Sequence, residues 1–236
     1  MTTTRLALIG MGKMGRALAQ LAPERGFHVV AEIDPSSPDA RTVTRESLRD
    51  AQVAIEFTVP EAAPANIRAS IAAGCPIVVG TTGWYDELPA VRADVERANG
   101  ALLTAPNFSV GVAIFDRVVA EASRLFAGVE GFEAHMIETH HSAKKDAPSG
   151  TAGALARTAE AYLGRSLAIT SVRVGSVPGT HELIFDAPFE QVRLIHEARD
   201  RRVFAEGALV AARWLVGRTG VFGMQDVLSQ PPAGAR

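Results

Sequence analysis

Short apolar runs alternate with helical patterns along the first hundred residues. The runs, rich in β-branched and aliphatic residues, are RLALIG (5–10), VVAEID (29–34), VAIEFT (53–58), PIVVG (76–80) and ALLTAP (101–106). Between them lie patterns typical of helices at 13–26, 61–74 and 86–100. The last two end in glycine, as helix C-termini often do. Strands that alternate with helices predict βαβ units and a parallel sheet covered on both faces.

The pattern changes after residue 107. A long helix is predicted at 110–128, a strand at 132–141 and a helix at 149–164. Three closely spaced strands follow, and then a final long helix. These last segments are 171–177, 180–187, 190–198 and 201–217. Strands separated by a few turn residues favour an antiparallel or mixed sheet, so this half is predicted to be a second domain of α+β type.

Composition and charge narrow the class of protein. The chain has 236 residues, of which 47% are hydrophobic and 21% charged, and its formal net charge is −2. Such a balance gives no electrostatic reason to expect nucleic acid or an acidic membrane surface as a partner. Its apolar runs are too short to span a membrane. Cys75, the single cysteine, excludes an internal disulfide and fits a reducing compartment, so a cytoplasmic location is expected.

Gly10-Met11-Gly12-Lys13-Met14-Gly15 ends the first predicted strand and opens the first predicted helix. Glycines there permit a tight turn and close backbone approach, and a helix N-terminus offers N–H groups to a pyrophosphate. Asp34 ends the next strand, where a carboxylate can bind both ribose hydroxyls of NAD. The alternative is an ordinary strand–helix turn followed by an acidic strand end. Strand–turn–helix context favours a Rossmann-type dinucleotide-binding domain.

The choice between NADH and NADPH depends on the residues near Asp34. Its carboxylate would repel a 2′-phosphate, and the next residue is Pro35 and not a basic one. Three basic residues, Lys13, Arg41 and Arg45, are close enough in sequence to approach such a phosphate. The sequence therefore predicts NADH and/or NADPH as cofactor and favours NADH.

Small, hydroxyl and amide side chains follow three further strands. They occur in EFTVP (56–60), GTTG (80–83) and APNF (105–108), and they suit hydrogen bonds to ribose and to a carboxamide. Because parallel strands end at one edge of a sheet, these groups should lie together. The predicted cofactor contacts are Gly10, Met11, Gly12, Lys13, Met14, Gly15, Asp34, Gly80, Thr81, Thr82, Ala105, Pro106, Asn107 and Phe108, with Phe108 as a candidate stacking surface.

The segment ETHHSAKKDAPSGTA (138–152) resembles the signature of the dihydrodipicolinate reductases, also called 4-hydroxy-tetrahydrodipicolinate reductases, of lysine and diaminopimelate biosynthesis. The glycine-rich loop is similar to the loop of that family but is shared with many dehydrogenases. Further similar stretches are VGTTG (79–83), APNFSVGV (105–112), RVGSVPGTHELIF (173–185) and the stretch from His196 through FAEGAL (204–209). The resemblance covers residues 6 to 228, and the loops near 35–52 and 165–172 are shorter than in better-known members.

The resemblance implies a role for each matching residue. It makes His140 a proton donor or acceptor and Lys144 a second donor. It assigns substrate binding to His141, Gly150 and Thr151. The implied substrate is a cyclic imine or enamine with two carboxylates, and a histidine is a suitable general acid for its reduction at neutral pH.

The chemistry of the segment is consistent with these implied roles. Ser149 is a plausible N-cap for the helix that begins there, and the N–H groups of a helix start can bind a carboxylate. Without the neighbouring motifs, the histidine pair and the lysine pair would be read as a polar strand end and a solvated loop. No metal site is predicted, because HxH, HExxH and cysteine pairings are all absent from the sequence.

Three functions follow as hypotheses. The first is NAD(P)H-dependent reduction of 4-hydroxy-tetrahydrodipicolinate, via dihydrodipicolinate, to tetrahydrodipicolinate. The alternatives are another two-domain amino-acid dehydrogenase of aspartate or homoserine type, or a non-catalytic dinucleotide sensor. The predicted domains are a dinucleotide-binding domain at 1–108, with 209–236 packing back on it, and a substrate-binding and oligomerisation domain at 109–208. The resemblance also implies a homotetramer, and the tail 230–236 is predicted to be disordered.

Overall fold

The computed structural model describes residues 3–34 and 42–229. Pro35, Arg41 and the tail 230–236 therefore lie outside the described residues. The chain divides into two compact units: unit 1 comprises Met1–Ser109 and Phe204–Arg236, and unit 2 comprises Val110–Val203. The chain thus leaves unit 1 once and later returns to it.

Unit 1 is built on a six-stranded sheet in the order β10-β5-β4-β3-β1-β2, and every strand pair in it is parallel. The strands are β1 (Thr4–Ile9), β2 (Phe27–Ile33), β3 (Val53–Glu56), β4 (Ile77–Val79), β5 (Ala101–Thr104) and β10 (Gly220–Phe222). Every residue of β3 and β4 is buried, as expected for central strands with both faces covered. The predicted α/β class with a parallel sheet is confirmed.

Five helices accompany this sheet among the described residues. They are α1 (Lys13–Leu21), α2 (Ala63–Ala72), α3 (Leu88–Arg97), α6 (Arg202–Leu215) and α7 (Met224–Ser229). Short 3₁₀ turns occupy Pro23–Arg25 and Tyr85–Glu87. The guanidinium of Arg213 in α6 lies over the ring of Phe27 at 4.9 Å, and Trp214 meets Phe222 edge-on at 5.0 Å. The helix after unit 2 therefore packs on both β2 and β10.

The two helices predicted to end in glycine end differently. Beyond α2, Gly74 takes a left-handed conformation with φ of 77°. Beyond α3, the left-handed residue is Asn99, with φ of 51°, and not Gly100. Asparagine tolerates this conformation, so α3 does not need a glycine there. Gly100 is instead tightly packed, because a Cβ on it would lie 2.7 Å from Cγ2 of Ile71.

Unit 2 contains a four-stranded mixed sheet in the order β7-β6-β8-β9. Its elements are α4 (Val110–Phe126), β6 (Glu133–His140), α5 (Gly150–Leu163), β7 (Ala168–Arg173), β8 (Gly179–Ala187) and β9 (Glu190–Ala198). β6 runs parallel to β7 and antiparallel to β8. One face of the sheet packs against α4 and α5 through Met136, Leu183 and Phe185. The predicted second domain with a mixed sheet and helices is confirmed.

Two local predictions need correction. Strand β7 begins at Ala168 and ends at Arg173, whereas a strand over 171–177 was expected. Neither β10 nor α7 was predicted, because segments of three and six residues are too short to show a periodic pattern. Within residues 3–34 and 42–229, no helix is both long and apolar enough to cross a membrane.

Candidate active site

The glycine-rich turn between β1 and α1 needs its glycines for different reasons. Gly10 has φ of +91°, and a Cβ on it would lie 2.2 Å from the carbonyl oxygen of Phe57. A Cβ on Gly15 would lie 2.1 Å from the carbonyl oxygen of Gly10. Both glycines are therefore required by packing. At Gly12, the N-cap of α1, no described residue has an atom within 4 Å of such a Cβ.

The open space at Gly12 is the place where the sequence predicts the phosphate groups of a dinucleotide. Helix α1 begins there with no side-chain cap, so its first N–H groups and its dipole face this space. The carboxylate of Asp34 accepts a hydrogen bond from the backbone N–H of Met11 at 2.7 Å. This hydrogen bond joins the end of β2 to the glycine-rich turn. An acid that binds the ribose next to a pyrophosphate-binding loop is expected at this position.

The other predicted cofactor residues follow the carboxyl ends of β4 and β5 in the same parallel sheet. The Thr58 backbone N–H donates to the Thr81 hydroxyl at 2.7 Å, which joins the loops after β3 and β4. The Asn107 side-chain oxygen accepts the Ser109 N–H at 2.8 Å. Exposed members of the set are Gly12, Lys13, Thr82 and Pro106, and half-buried members are Met11, Met14, Asp34, Gly80 and Asn107.

Phe108 was expected to offer a surface on which the cofactor could stack, but its ring is buried inside the protein. Only 2% of Phe108 is exposed, and it meets the Phe57 ring edge-on with centroids 6.1 Å apart. Glu56, a residue that the sequence did not single out, is fully buried beneath the same loops. Burial raises the pKa of Glu56, while the Thr58 hydroxyl donates a hydrogen bond to its carboxylate.

Unit 2 gathers its titratable groups on one sheet face at the end of β6. Glu138 and His140 are two residues apart on β6, so their side chains share a face. Arg173 of β7 lies opposite His140, and His181 of β8 lies opposite Glu138. Near the start of β6, this face of the sheet packs against helices α4 and α5. At the end of β6, the same face carries the titratable cluster. The strand register therefore assembles residues that are far apart in sequence.

The cluster is held by short contacts around the Glu138 carboxylate, which is fully buried. Its Oε1 accepts hydrogen bonds from Nη2 of Arg173 at 2.6 Å and from the Ser149 backbone N–H at 3.3 Å. Its Oε2 contacts Nδ1 of His140. The rings of His140 and His181 meet edge-on with centroids 5.2 Å apart. The imidazole of His140 is thus enclosed between a carboxylate and a second imidazole.

Helix α5 begins beside this cluster as predicted. The Ser149 hydroxyl accepts the Ala152 N–H at 3.1 Å, which makes Ser149 the N-cap. The same hydroxyl lies 3.4 Å from Nε2 of His181. Gly150 is exposed at the first helical position, and no described residue has an atom within 4 Å of a Cβ placed on it. The start of α5 thus has room beside it for an anionic group.

Lys144 and His141 lie on the loop between β6 and α5. The Lys144 ammonium is 2.8 Å from Oδ1 of Asp146, and this pairing lowers the pKa of Asp146. Nε2 of His141 is 2.7 Å from Nη2 of Arg201, although the two residues are 60 positions apart. Arg201 is a candidate anion-binding residue that the sequence reasoning missed. The basic run ARDRR around it was the signal that could have found it.

Burial shifts the pKa of both histidines in the cluster around Glu138. It lowers the pKa of His140, against the opposing effect of the Glu138 carboxylate. It also lowers the pKa of His181 to about 4, with His140 as the next contribution. His181 is therefore neutral at pH 7, although the Glu138 carboxylate favours the charged form of both histidines. His140 differs from His181 in that one of its ring nitrogens, Nδ1, is in direct contact with the Glu138 carboxylate.

Glu138, His140 and His181 also bring three possible metal-ligand atoms within 4.8 Å of one another. The sequence spacing did not suggest this group, because His181 comes from another strand. The Arg173 guanidinium already neutralises the carboxylate, so we assign the three residues to proton chemistry and not to a metal. The expectation that no metal is needed stays a prediction, which activity after dialysis against EDTA would test.

A parallel sheet with a glycine-rich loop at its edge, joined to a unit with an acid–base and anion-binding cluster, defines the class of Rossmann-type oxidoreductases. Family models described as "Dihydrodipicolinate reductase, N-terminus" and "Dihydrodipicolinate reductase, C-terminus" match residues 4–108 and 111–228. The chain belongs to the dihydrodipicolinate reductase family.

Individual relatives agree with this assignment. A 4-hydroxy-tetrahydrodipicolinate reductase from Christiangramia forsetii is 33% identical, over 95% of this chain and 97% of the relative. One of the same name from Methanoregula boonei is 34% identical, over 92% of this chain and 94% of the relative. The solved dipicolinate-bound dihydrodipicolinate reductase from Paenisporosarcina sp. TG-14 shares the fold, with a TM-score of 0.81, 22% identity and coverage of 95% and 99%.

Proposed function

We propose that the protein reduces 4-hydroxy-tetrahydrodipicolinate, via dihydrodipicolinate, to tetrahydrodipicolinate with NAD(P)H, in the biosynthesis of lysine and diaminopimelate. One observation carries this conclusion. A proton donor, His140, an ammonium group, Lys144, and the open start of α5 lie within one segment of unit 2. A cyclic imine or enamine with two carboxylates needs a proton donor and anion-binding groups of this kind for its reduction.

Unit 1 binds the dinucleotide. The bound cofactor supplies a hydride. The backbone N–H groups at the start of α1 bind its pyrophosphate, and the Gly12 position leaves room for it. Asp34 binds the adenosine ribose, and its negative charge favours NADH over NADPH. Thr81, Thr82 and Asn107 supply hydroxyl and amide groups for the remainder of the cofactor.

His140 gives the proton. In its charged form Nδ1–H faces Glu138, and Nε2–H is the donor that remains for the substrate. A general acid of this kind contributes roughly 10²–10⁴-fold in rate. Lys144 is the second donor that the family resemblance implies, and its ammonium also attracts a carboxylate.

The substrate carboxylates bind on unit 2. One is held by Lys144 and by the backbone N–H groups of Gly150 and Thr151 at the start of α5. The other is held by His141 with Arg201, which are already in contact at 2.7 Å. Because charge-assisted hydrogen bonds are strong and directional, the protein would recognise the substrate by its two carboxylates.

The unit 2 sheet is also our candidate for the oligomer interface of a homotetramer. The face of that sheet opposite the helices exposes apolar side chains, with Val172 37% and Ile195 57% exposed. Contact with a second copy would remove them from water. Light scattering coupled to size-exclusion chromatography measures the assembly directly, and replacement of Ile195 by lysine is expected to dissociate it.

The reductase assignment is tested by NADH oxidation, followed as loss of its near-ultraviolet absorbance. The substrate is generated in situ from pyruvate and aspartate semialdehyde by the preceding synthase. We expect His140→Gln to lower kcat by roughly 10²-fold or more. We expect Lys144→Ala to raise KM by about tenfold or more, since it removes a charged hydrogen bond. Lys145→Ala is the matched control, because Lys145 is the exposed neighbour.

The outcomes separate the three hypotheses. Turnover that depends on His140 and Lys144 but not on Lys145 supports the reductase. A wild type that binds NADH without oxidising it would make the protein a dinucleotide sensor. Turnover with an amino acid and NAD⁺ but not with the ring substrate would favour the dehydrogenase alternative.

A further inference from the structure

The family resemblance assigns no role to Glu138. Its buried carboxylate nevertheless contacts His140, the proposed proton donor, directly. Glu138 is 0% exposed and His140 is 7% exposed. A carboxylate is rarely fully buried unless it is paired, because its desolvation costs several kcal/mol. Its partners come from three elements. They are His140 of β6, Arg173 and Ser171 of β7, and Ser149 at the start of α5.

We propose that Glu138 is a positioning residue for the reduction: its carboxylate fixes the imidazole of His140 so that Nδ1–H faces Glu138 and Nε2–H is the donor to substrate, while Arg173 limits how strongly Glu138 holds that proton. This inference rests on the proposed function. During turnover the Nε2 proton passes to the substrate, the ring becomes neutral and keeps its Nδ1–H on Glu138, and a proton from water restores the cation.

The orientation of the His140 ring determines which of its two nitrogens faces Glu138 and which remains for the substrate. Nδ1 is the ring atom in contact with Oε2 of Glu138. Nε2 points away from Glu138 toward Gly179, where an added Cβ would lie 3.0 Å from it. If the His140 ring were flipped by 180°, a ring carbon would face Glu138, and the carboxylate would lose its contact with Nδ1. Glu138 therefore selects which nitrogen of His140 meets the substrate.

The charges around His140 oppose each other. Glu138 on β6 favours the imidazolium, while Arg173 on β7, Lys144 on the following loop and neutral His181 on β8 surround the same ring. Asp146 is paired with Lys144, and His196 on β9 faces His181 at 6.4 Å. Burial favours the neutral acid at Glu138, but hydrogen bonds from Arg173 and Ser171 bring its pKa to about 2. The carboxylate is thus charged throughout the range in which His140 titrates.

Two substitutions test the inference in opposite directions. Glu138→Gln keeps the shape but removes the charge, so His140 should lose its proton more easily. The fall of kcat/KM with rising pH should then move to lower pH by about one unit or more. Arg173→Gln removes a positive neighbour, so the same fall should move to higher pH. Glu130→Gln is the control, because Glu130 is an exposed acid on the turn between α4 and β6.

A second measurement does not depend on activity. The ring ¹³C–¹H signals of the six histidines can be titrated by NMR, and loss of one signal in His140→Gln assigns His140. The inference predicts a lower midpoint for His140 in Glu138→Gln and a higher one in Arg173→Gln. Equal losses of kcat at every pH in both variants, with an unchanged His140 midpoint, would make the cluster merely structural and overturn the proposal.

Failure of the proposed function is distinguishable from failure of this inference. If the wild type does not oxidise NADH with the ring substrate, the reductase assignment fails. The NMR midpoints then still decide whether Glu138 controls the protonation of His140.

Discussion

The carboxylate of Asp34, at the end of β2, accepts a hydrogen bond from the backbone N–H of Met11 in the glycine-rich turn at 2.7 Å. The residue that would read the cofactor ribose therefore also holds the loop that would bind its pyrophosphate. In the proposed binding mode, its carboxylate would lie beside the 2′-substituent of that ribose. The preference between NADH and NADPH should depend on this one side chain.

We expect Asp34→Ser to raise kcat/KM for NADPH relative to NADH by about tenfold or more, since a like-charge repulsion of about 1.4 kcal/mol or more is removed. Steady-state kinetics with both cofactors measures this ratio. Glu32→Ser is the control, because Glu32 is an exposed acid on the same strand. An unchanged ratio in Asp34→Ser would place cofactor selection elsewhere.

Two glycines of the same loop should behave in opposite ways. We expect Gly12→Val to weaken NADH binding by tenfold or more while leaving the melting temperature within about two degrees, since its side chain enters open space at the start of α1. We expect Gly15→Ala to lower the stability by about 1–3 kcal/mol, because its Cβ would lie 2.1 Å from the Gly10 carbonyl oxygen. Calorimetric titration with NADH and thermal unfolding test the pair. Equal loss of stability in both would contradict the distinction.

Gly179 should affect turnover through His140. It has φ of +156°, and a Cβ on it would lie 3.0 Å from Nε2 of that ring. Gly179→Ala is therefore expected to displace the donor atom and to lower kcat by about tenfold or more, with NADH binding unchanged. Gly128→Ala is the control, since no described residue has an atom within 4 Å of its Cβ. Wild-type kcat in Gly179→Ala would show that Nε2 needs no such space.

Acid should destabilise the protein through His181. Its pKa is about 4 in the folded state because of burial and the nearby His140, and about 6.5 when unfolded. The unfolded chain therefore binds a proton that the folded chain rejects. This residue's contribution to the free energy of unfolding is complete above pH 6.5 and is lost as the pH falls toward 4.

The His181→Gln variant tests this dependence. We expect its melting temperature to fall less than that of the wild type between pH 7 and pH 4.5. His28→Gln is the control, because His28 is an exposed histidine on β2. Parallel acid profiles for wild type and His181→Gln would assign the acid sensitivity to other groups.

The sequence could predict features that depend on residues close together in the chain. The glycine-rich turn, Ser149 as a helix cap and the identity of His140 and Lys144 as candidates each depend on residues close together in the chain. Glu138 was quoted within its segment, but its partner Arg173 lies 35 positions away and becomes a neighbour only through the pairing of β6 with β7. Arg201, on the connection between β9 and α6, contacts His141 across 60 positions. Such contacts depend on strand order, which hydrophobic periodicity does not encode.

Strand β10 was missed for a related reason. Its three residues, Gly220–Phe222, form a strand because they pair with the free edge of β5. The Gly220 N–H donates a hydrogen bond of 2.8 Å to the carbonyl oxygen of Gly100, just before β5. Asn99, and not the expected glycine, takes the left-handed conformation beyond α3, while the small size of Gly100 is needed for its close packing against Ile71. In both cases tertiary contacts decide what the local sequence leaves open.

The return of the chain to unit 1 after residue 203 has a consequence for synthesis. As the chain leaves the ribosome, the first 109 residues emerge with β5 at the sheet edge, and its partner β10 is made only after the whole of unit 2. During that interval a growing chain carries an open strand edge of the kind that promotes wrong pairing between chains. The dinucleotide-binding unit is started first and finished last, so nascent chains should need protection until Phe222 has emerged.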